Sequence, residues 1–237
     1  MVTDLAHLYA IADTHLSFGI EEGNKAMDLF GGPWVGHADR LKAAWLKLVE
    51  DGDSVIIAGD ISWALKLEEA MADLAFLDSL PGRKILVRGN HDLWWSSMKK
   101  MRGLFKSISF IQNDSVELES CVVCGSRGWI CPGEPDYSES EDGKIYRREL
   151  IRLEMALKSA SECGKPIIAV THYPPRNRFS EASGFSELLE KYGARTCVFG
   201  HLHGEQAFRN APEGLIDGVY YRLVSLDRLS AVPLRIL

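Results

Sequence analysis

Ile85-Leu-Val-Arg-Gly-Asn-His-Asp92 changes character at its midpoint. Its first half is short and largely apolar, with β-branched Ile85 and Val87, as a strand covered on both faces reads. Gly89 then breaks the run and three polar residues follow. The same form recurs four times. Leu8-Tyr-Ala-Ile-Ala12 runs into Asp13-Thr-His15, and Val55-Ile-Ile-Ala58 into Gly59-Asp60. Ile167-Ile-Ala-Val-Thr171 ends at His172, and Thr196-Cys-Val-Phe199 at Gly200-His-Leu-His203. Helical periodicity fills much of the space between, over Asp39–Glu50, Lys66–Leu80 and Lys144–Cys163. In the last of these, Tyr146, Leu150, Leu153, Leu157 and Ala160 form one stripe. Ile108–Gly125 and Gln206–Leu237 read as strand-rich, with antiparallel pairing. The chain therefore reads as an α/β sandwich with helices outside a mixed sheet.

No linker, repeat or low-complexity tract divides residues 1–237, so one domain is expected. A hydrophobic fraction of 46% and a charged fraction of 25% exclude collagen-like, disordered and coiled-coil classes. The 27 basic residues fall short of the 33 acidic ones, and a net charge of −6 opposes general binding to nucleic acid or anionic membrane. The start Met1-Val2-Thr3-Asp4 lacks a leader pattern, and no apolar run reaches the ~20 residues of a membrane span. Five cysteines, an odd number, fit a reducing compartment, so a cytoplasmic location is expected. Cys121 and Cys124 fall three residues apart in a strand-like run, which points their thiols to opposite faces.

Five of the seven histidines lie in the polar tips of the strand-like runs. In open α/β sheets, ligands bind at the carboxyl ends of the strands. The tips offer seven oxygen and imidazole donors: Asp13, His15, Asp60, Asn90, His172, His201 and His203. Without thiolate, such a set suits Mn²⁺, Fe or Zn²⁺, with Mg²⁺ also accommodated. Seven donors exceed the needs of one ion and suit two if a carboxylate bridges. Three long loops, Phe18–Ala38, Ser126–Gly143 and Tyr173–Gly184, are candidate binding loops. Trp34, Trp63, Trp94, Trp95 and Trp129 lie in or near tips and loops, as stacking surfaces or as core. Arg127, Arg176 and Trp63 are candidate substrate contacts; Arg88 and Arg178 read as surface cations.

The ordered series D-x-H, GD, GNHD, H and GHxH, from Asp13 to His203, resembles that of the calcineurin-like metallophosphoesterases. The resemblance implies a four-layer α/β sandwich with mixed central sheets and a dinuclear centre. Asp13, His15, Asp60 and His203 would hold one ion, and Asp60, Asn90, His172 and His201 the other. Asp60 would bridge, and His91 would face the leaving group as general acid. The protein Ser/Thr phosphatase branch carries GD-x-x-DRG, whereas this chain has Gly59-Asp-Ile-Ser-Trp-Ala64. The chain therefore resembles the compact bacterial phosphohydrolases instead. With Trp63 in place of that Asp, Asp92 or a backbone carbonyl is expected to hold His91. The implied activity is hydrolysis of phosphomonoesters or phosphodiesters on a small phosphorylated substrate, with Mn²⁺ the leading metal. A nuclease is the alternative, opposed by the net charge. A non-catalytic scaffold is the third reading, and it predicts missing ligands where none is missing.

Overall fold

The computed structural model describes residues 6–20 and 27–237. Gly23 of the first long loop and Met1-Val2-Thr3-Asp4 lie outside them. Among the described residues, the strands are β1 (Leu8–Ile11), β2 (Ser54–Ala58), β3 (Arg83–Val87), β4 (Ile108–Ile111), β5 (Ser115–Glu117), β6 (Val122–Ser126), β7 (Ile167–Thr171), β8 (Ala194–Phe199), β9 (Gly214–Ile216), β10 (Val219–Leu223) and β11 (Leu234–Arg235). They form two sheets, ordered β11-β1-β2-β3-β4 and β5-β6-β7-β8-β10-β9. Both are mixed. β11 runs antiparallel to β1, β5 to β6 and β9 to β10, while the other pairs are parallel. The helices are α1 (His37–Leu48), α2 (Leu67–Asp78), α3 (Met98–Met101), α4 (Glu139–Ser161), α5 (Gly184–Lys191) and α6 (Glu205–Arg209).

Alternation along the strands builds three apolar interfaces and hence four layers. Tyr9, Ile11, Val55 and Ile57 face Leu41, Trp45, Leu74 and Leu77 of α1 and α2. Leu8, Ala10, Ile56 and Ile85 point the other way, against Val123, Ile168, Val170 and Val198 of the second sheet. Cys124, Ala169 and Phe199 pack beneath Leu153 and Leu157 of α4 and Phe185 of α5. A one-residue slip in any central strand would exchange these sets, so burial on both faces pins the register. Cys121 belongs to the inter-sheet interface and Cys124 to the outer one, on opposite faces as their spacing requires.

Helix α4 starts at Glu139, five residues before the sequence pattern places it. Gly143 reads as a loop residue, yet it lies inside the helix behind Glu139, Glu141 and Asp142, whose charges suit a helix N-terminus. The second long loop is correspondingly shorter. The first loop contains 3-10 turns at Met27–Phe30 and Gly32–Trp34, and α1 begins at His37. Helices α5 and α6 are too short for periodicity to reveal, although Ser183 caps α5 through Phe185 N and Ser186 N. No helix among the described residues is long and apolar enough to cross a membrane.

Candidate active site

All five polar tips follow parallel strands: Asp13 after β1, Asp60 after β2, Asn90 after β3, His172 after β7 and His201 after β8. The backbone is tightly folded there. Asp13, His15, Asp60 and His201 all adopt left-handed φ, at 58°, 42°, 50° and 70°. A Cβ on Gly89 would lie 2.1 Å from Asp60 Oδ1, and one on Gly59 2.5 Å from His172 Nδ1, so both positions require glycine. His37, outside the motifs, braces the first tip through Thr14 O at 2.9 Å and Trp34 O at 3.1 Å.

The seven donors converge. Asp60 Oδ2 lies 3.8 Å from His15 Nε2 and 3.4 Å from His172 Nε2, while Asp60 Oδ1 accepts the His91 N–H at 2.8 Å. Asn90 Oδ1 lies 2.7 Å from His172 Nε2 and 3.0 Å from His201 Nδ1. Asp13 Oδ1 lies 3.7 Å from His203 Nε2 and 3.9 Å from His172 Nδ1. Two groups have donor atoms mutually within 4.8 Å: Asp13, His15 and His203, and Asp13, Asp60 and His172. Asp13 thus touches both groups, where the resemblance gives that position to Asp60 alone.

This donor set fits divalent cations. Two carboxylates are buried among imidazoles, and the buried Nδ1 of His15 has no hydrogen-bond partner among the described residues. Burial, together with neighbouring imidazoles, lowers His15 and His201 to about 3, keeping both neutral as metal ligands must be. Burial raises Asp13 to about 6 against the pull of His203 and His172. Burial also opposes ionisation of Asp60, but His172, His15 and the His91 N–H outweigh it and hold that carboxyl well below the usual range.

Several supporting residues carry no motif. His203 Nδ1 lies 3.0 Å from Asp227 Oδ1, whose side chain is 4% exposed, which turns Nε2 toward Asp13. His172 Nδ1 meets Ala58 O at 3.0 Å, which directs Nε2 toward Asn90 and Asp60. Asp92 does not hold His91. Its carboxylate accepts four N–H groups, from Ile61 at 2.8 Å, Ser62 at 3.2 Å, Gly89 at 2.7 Å and the Trp94 indole at 2.9 Å, clipping the second tip to the third. The exposed His91 ring packs instead near Trp63, with centroids 4.6 Å apart, and Trp63 stacks on His15 at 4.6 Å.

Trp34 meets His15 and His203 edge-on at 5.9 and 5.4 Å, whereas Trp94 and Trp95 pack in the core against Phe110. Tyr173 covers His201 at 4.1 Å, and Trp129 lies 5.1 Å from Tyr173 with the Arg127 guanidinium over its ring. A cavity of about 410 Å³ opens beside His201 and His203, walled by Ile130, Tyr173, Leu202, Gln206 and Asn210 among others. Both longer loops therefore reach the site, one through Trp34 and the other through Ile130. Arg176 lines the cavity, but its guanidinium is tied to Asp217, to Glu190 at 2.9 Å and to Ser180 O at 3.0 Å, which gives it a wall-building role.

Residues 6–205 match the family model of calcineurin-like phosphoesterases. The chain belongs to that family. Two solved structures resemble this calcineurin-like chain over nearly its whole length. A protein of unknown function from Aquifex aeolicus is 18% identical, with a TM-score of 0.53 over 98% of this chain and 96% of that one. The phosphopantetheinyl hydrolase of Mycobacterium tuberculosis is 17% identical, with a TM-score of 0.55 and the same coverages. At these identities the likeness shows the shared fold. No curated protein matches the chain.

Proposed function

We propose that this chain is a metal-dependent phosphoric ester hydrolase acting on a small phosphorylated substrate. One observation carries the reading: a single oxygen, Asp60 Oδ2, faces His15 at 3.8 Å and His172 at 3.4 Å, as a bridging carboxylate would. Asp13, His15, Asp60 and His203 would hold one divalent ion, and Asp60, Asn90, His172 and His201 the other, with Mn²⁺ the first metal to test. When bound, such a pair polarises phosphoryl oxygens and makes water a nucleophile near neutral pH.

The chain's own residues do the rest. Asp227 and Ala58 O fix the imidazoles of His203 and His172, so the donor nitrogens need no reorientation. His91, near His15 and outside both ligand sets, gives a proton to the departing oxygen. The 410 Å³ cavity receives the leaving group, with Gln206 and Asn210 among its polar lining. Trp63 flanks the phosphoryl group, and Arg127 contacts the rest of the substrate. Protein loaded with Mn²⁺ should bind about two ions per chain and hydrolyse nitrophenyl phosphate or its bis-ester, and Asp60→Asn should lower both occupancies. A stoichiometry of one that ignores Asp60→Asn refutes the bridge, and no hydrolysis of any ester across Mn²⁺, Fe²⁺ and Zn²⁺ refutes the enzyme.

A further inference from the structure

Four arginines gather at the Asn90 and His172 end of the site. Glu149 of α4 is fully buried, and one of its oxygens takes Arg152 Nη1 at 2.8 Å, with Arg127 Nη2 and Arg148 Nη2 each at 3.5 Å. Arg88 lies within electrostatic range of Glu149, Arg148 and Arg152. The other carboxylate in range of Arg88 is Asp92, which is already engaged by its four N–H donors. Four permanent cations thus gather around Glu149 and Asp92, and guanidinium cannot shed its proton. Nε of Arg88 and Nε of Arg127 are buried with no acceptor among the described residues, and the second oxygen of Glu149 is likewise buried without a donor.

The cluster adjoins the proposed reaction centre. Arg88 precedes Asn90 by two residues, and the Arg127 carbonyl accepts the His172 N–H at 2.9 Å and the Tyr173 N–H at 3.1 Å. The Tyr173 hydroxyl lies within electrostatic range of both Arg127 and Asp60. The cluster is open on one side: the side chains of Arg148 and Arg152 are 54% and 31% exposed, while that of Arg127 is 13% exposed. Forked guanidinium donors match a tetrahedral dianion in geometry and charge.

We infer that Arg88, Arg127, Arg148 and Arg152 form an oxyanion subsite that takes a phosphate or sulfate group distinct from the one being cleaved. Its occupant is either a second phosphate of the substrate or a free anion, and the first rests on the hydrolase reading above. Two variants separate this role from simple support of Glu149. Arg148→Gln removes an exposed cation, and Glu149→Gln removes the opposing charge at nearly constant volume.

The binding probe is sulfate, followed by thermal shift of Mn²⁺-loaded protein. Half-saturation should rise about three- to tenfold in Arg148→Gln and fall severalfold in Glu149→Gln. Opposite shifts that persist after the metal is removed require the cluster itself, since sulfate at the metal ions would lose its binding with them; shifts that vanish with the metal overturn the subsite. Kinetic comparison of alkanediol bisphosphates of two to six carbons with their monophosphates then identifies the source. A bisphosphate preference of tenfold or more in kcat/KM at one length, reduced by Arg148→Gln, makes the occupant a second substrate phosphate. Opposite sulfate shifts without that preference make it a free anion. Sulfate half-saturation unchanged in both variants overturns the subsite, whether or not the protein proves to be a hydrolase.

Discussion

Among the described residues, the side chain of Asp227 is hydrogen-bonded to one proposed ligand, His203, and fixes its tautomer. Its side chain is 4% exposed and accepts from His203 Nδ1 at 3.0 Å and from Gly204 N at 3.3 Å. The His203 side chain is 36% exposed, so apart from Asp227 and the edge of Trp34 little prevents its ring from turning. Loss of such a partner typically weakens a metal site about 10- to 100-fold, or about 1.4–2.7 kcal/mol. Asp227→Asn keeps an acceptor and should fall near the lower bound. Asp227→Ala frees the ring and should approach the upper. The effect should be one-sided, because His203 belongs to only one ligand set. Calorimetric titration with Mn²⁺ should therefore show one ion weakened and the other near wild type, with activity recovered at high Mn²⁺. Equal weakening of both ions, or wild-type affinity in Asp227→Ala, would refute the assignment.

His91→Ala should lower kcat about 10²–10⁴-fold on esters with alkoxide leaving groups, less on nitrophenyl esters, and leave metal content unchanged. Equal losses on both leaving groups would make the residue structural. Asp92→Ala strips four buried N–H groups of their acceptor and should cost about 3 kcal/mol or more of unfolding free energy. A loss under 1 kcal/mol by denaturant titration would show the tips do not depend on that clip. Shortening the loop around Glu134 and Asp136, which line the cavity, should change KM or substrate preference at constant metal content. Unchanged kinetics across a substrate panel would detach that loop from the site.

The five tips could be read from sequence because each pairs a buried strand with an abrupt polar end, and both signals are local. Strand order then gathers them without further information. Asp227 could not be read this way. It lies 24 residues from His203, beyond the short β9 and β10, and only the pairing of β10 with β8 brings it near. Asp92 misled for the same reason: its partners Ile61 and Ser62 are 31 and 30 residues away, whereas His91 is its neighbour in sequence. Gly143 hid the first turn of α4, since glycine is the ordinary helix stop and here the helix runs through it. Glu149, Arg148 and Arg152 lie off the apolar stripe of α4, and only the ends of β3 and β6 bring Arg88 and Arg127 toward them.

The left-handed backbone at Asp13, His15, Asp60 and His201 gives the site an evolutionary cost. Each such non-glycine residue typically raises the energy of the folded state by about 1–3 kcal/mol. Glycine at any of the four would relax the chain and delete a donor in a single step. In metal-free protein each such glycine variant should therefore melt at or above the parent's temperature, so at these four positions backbone strain is the counterpart of a retained donor.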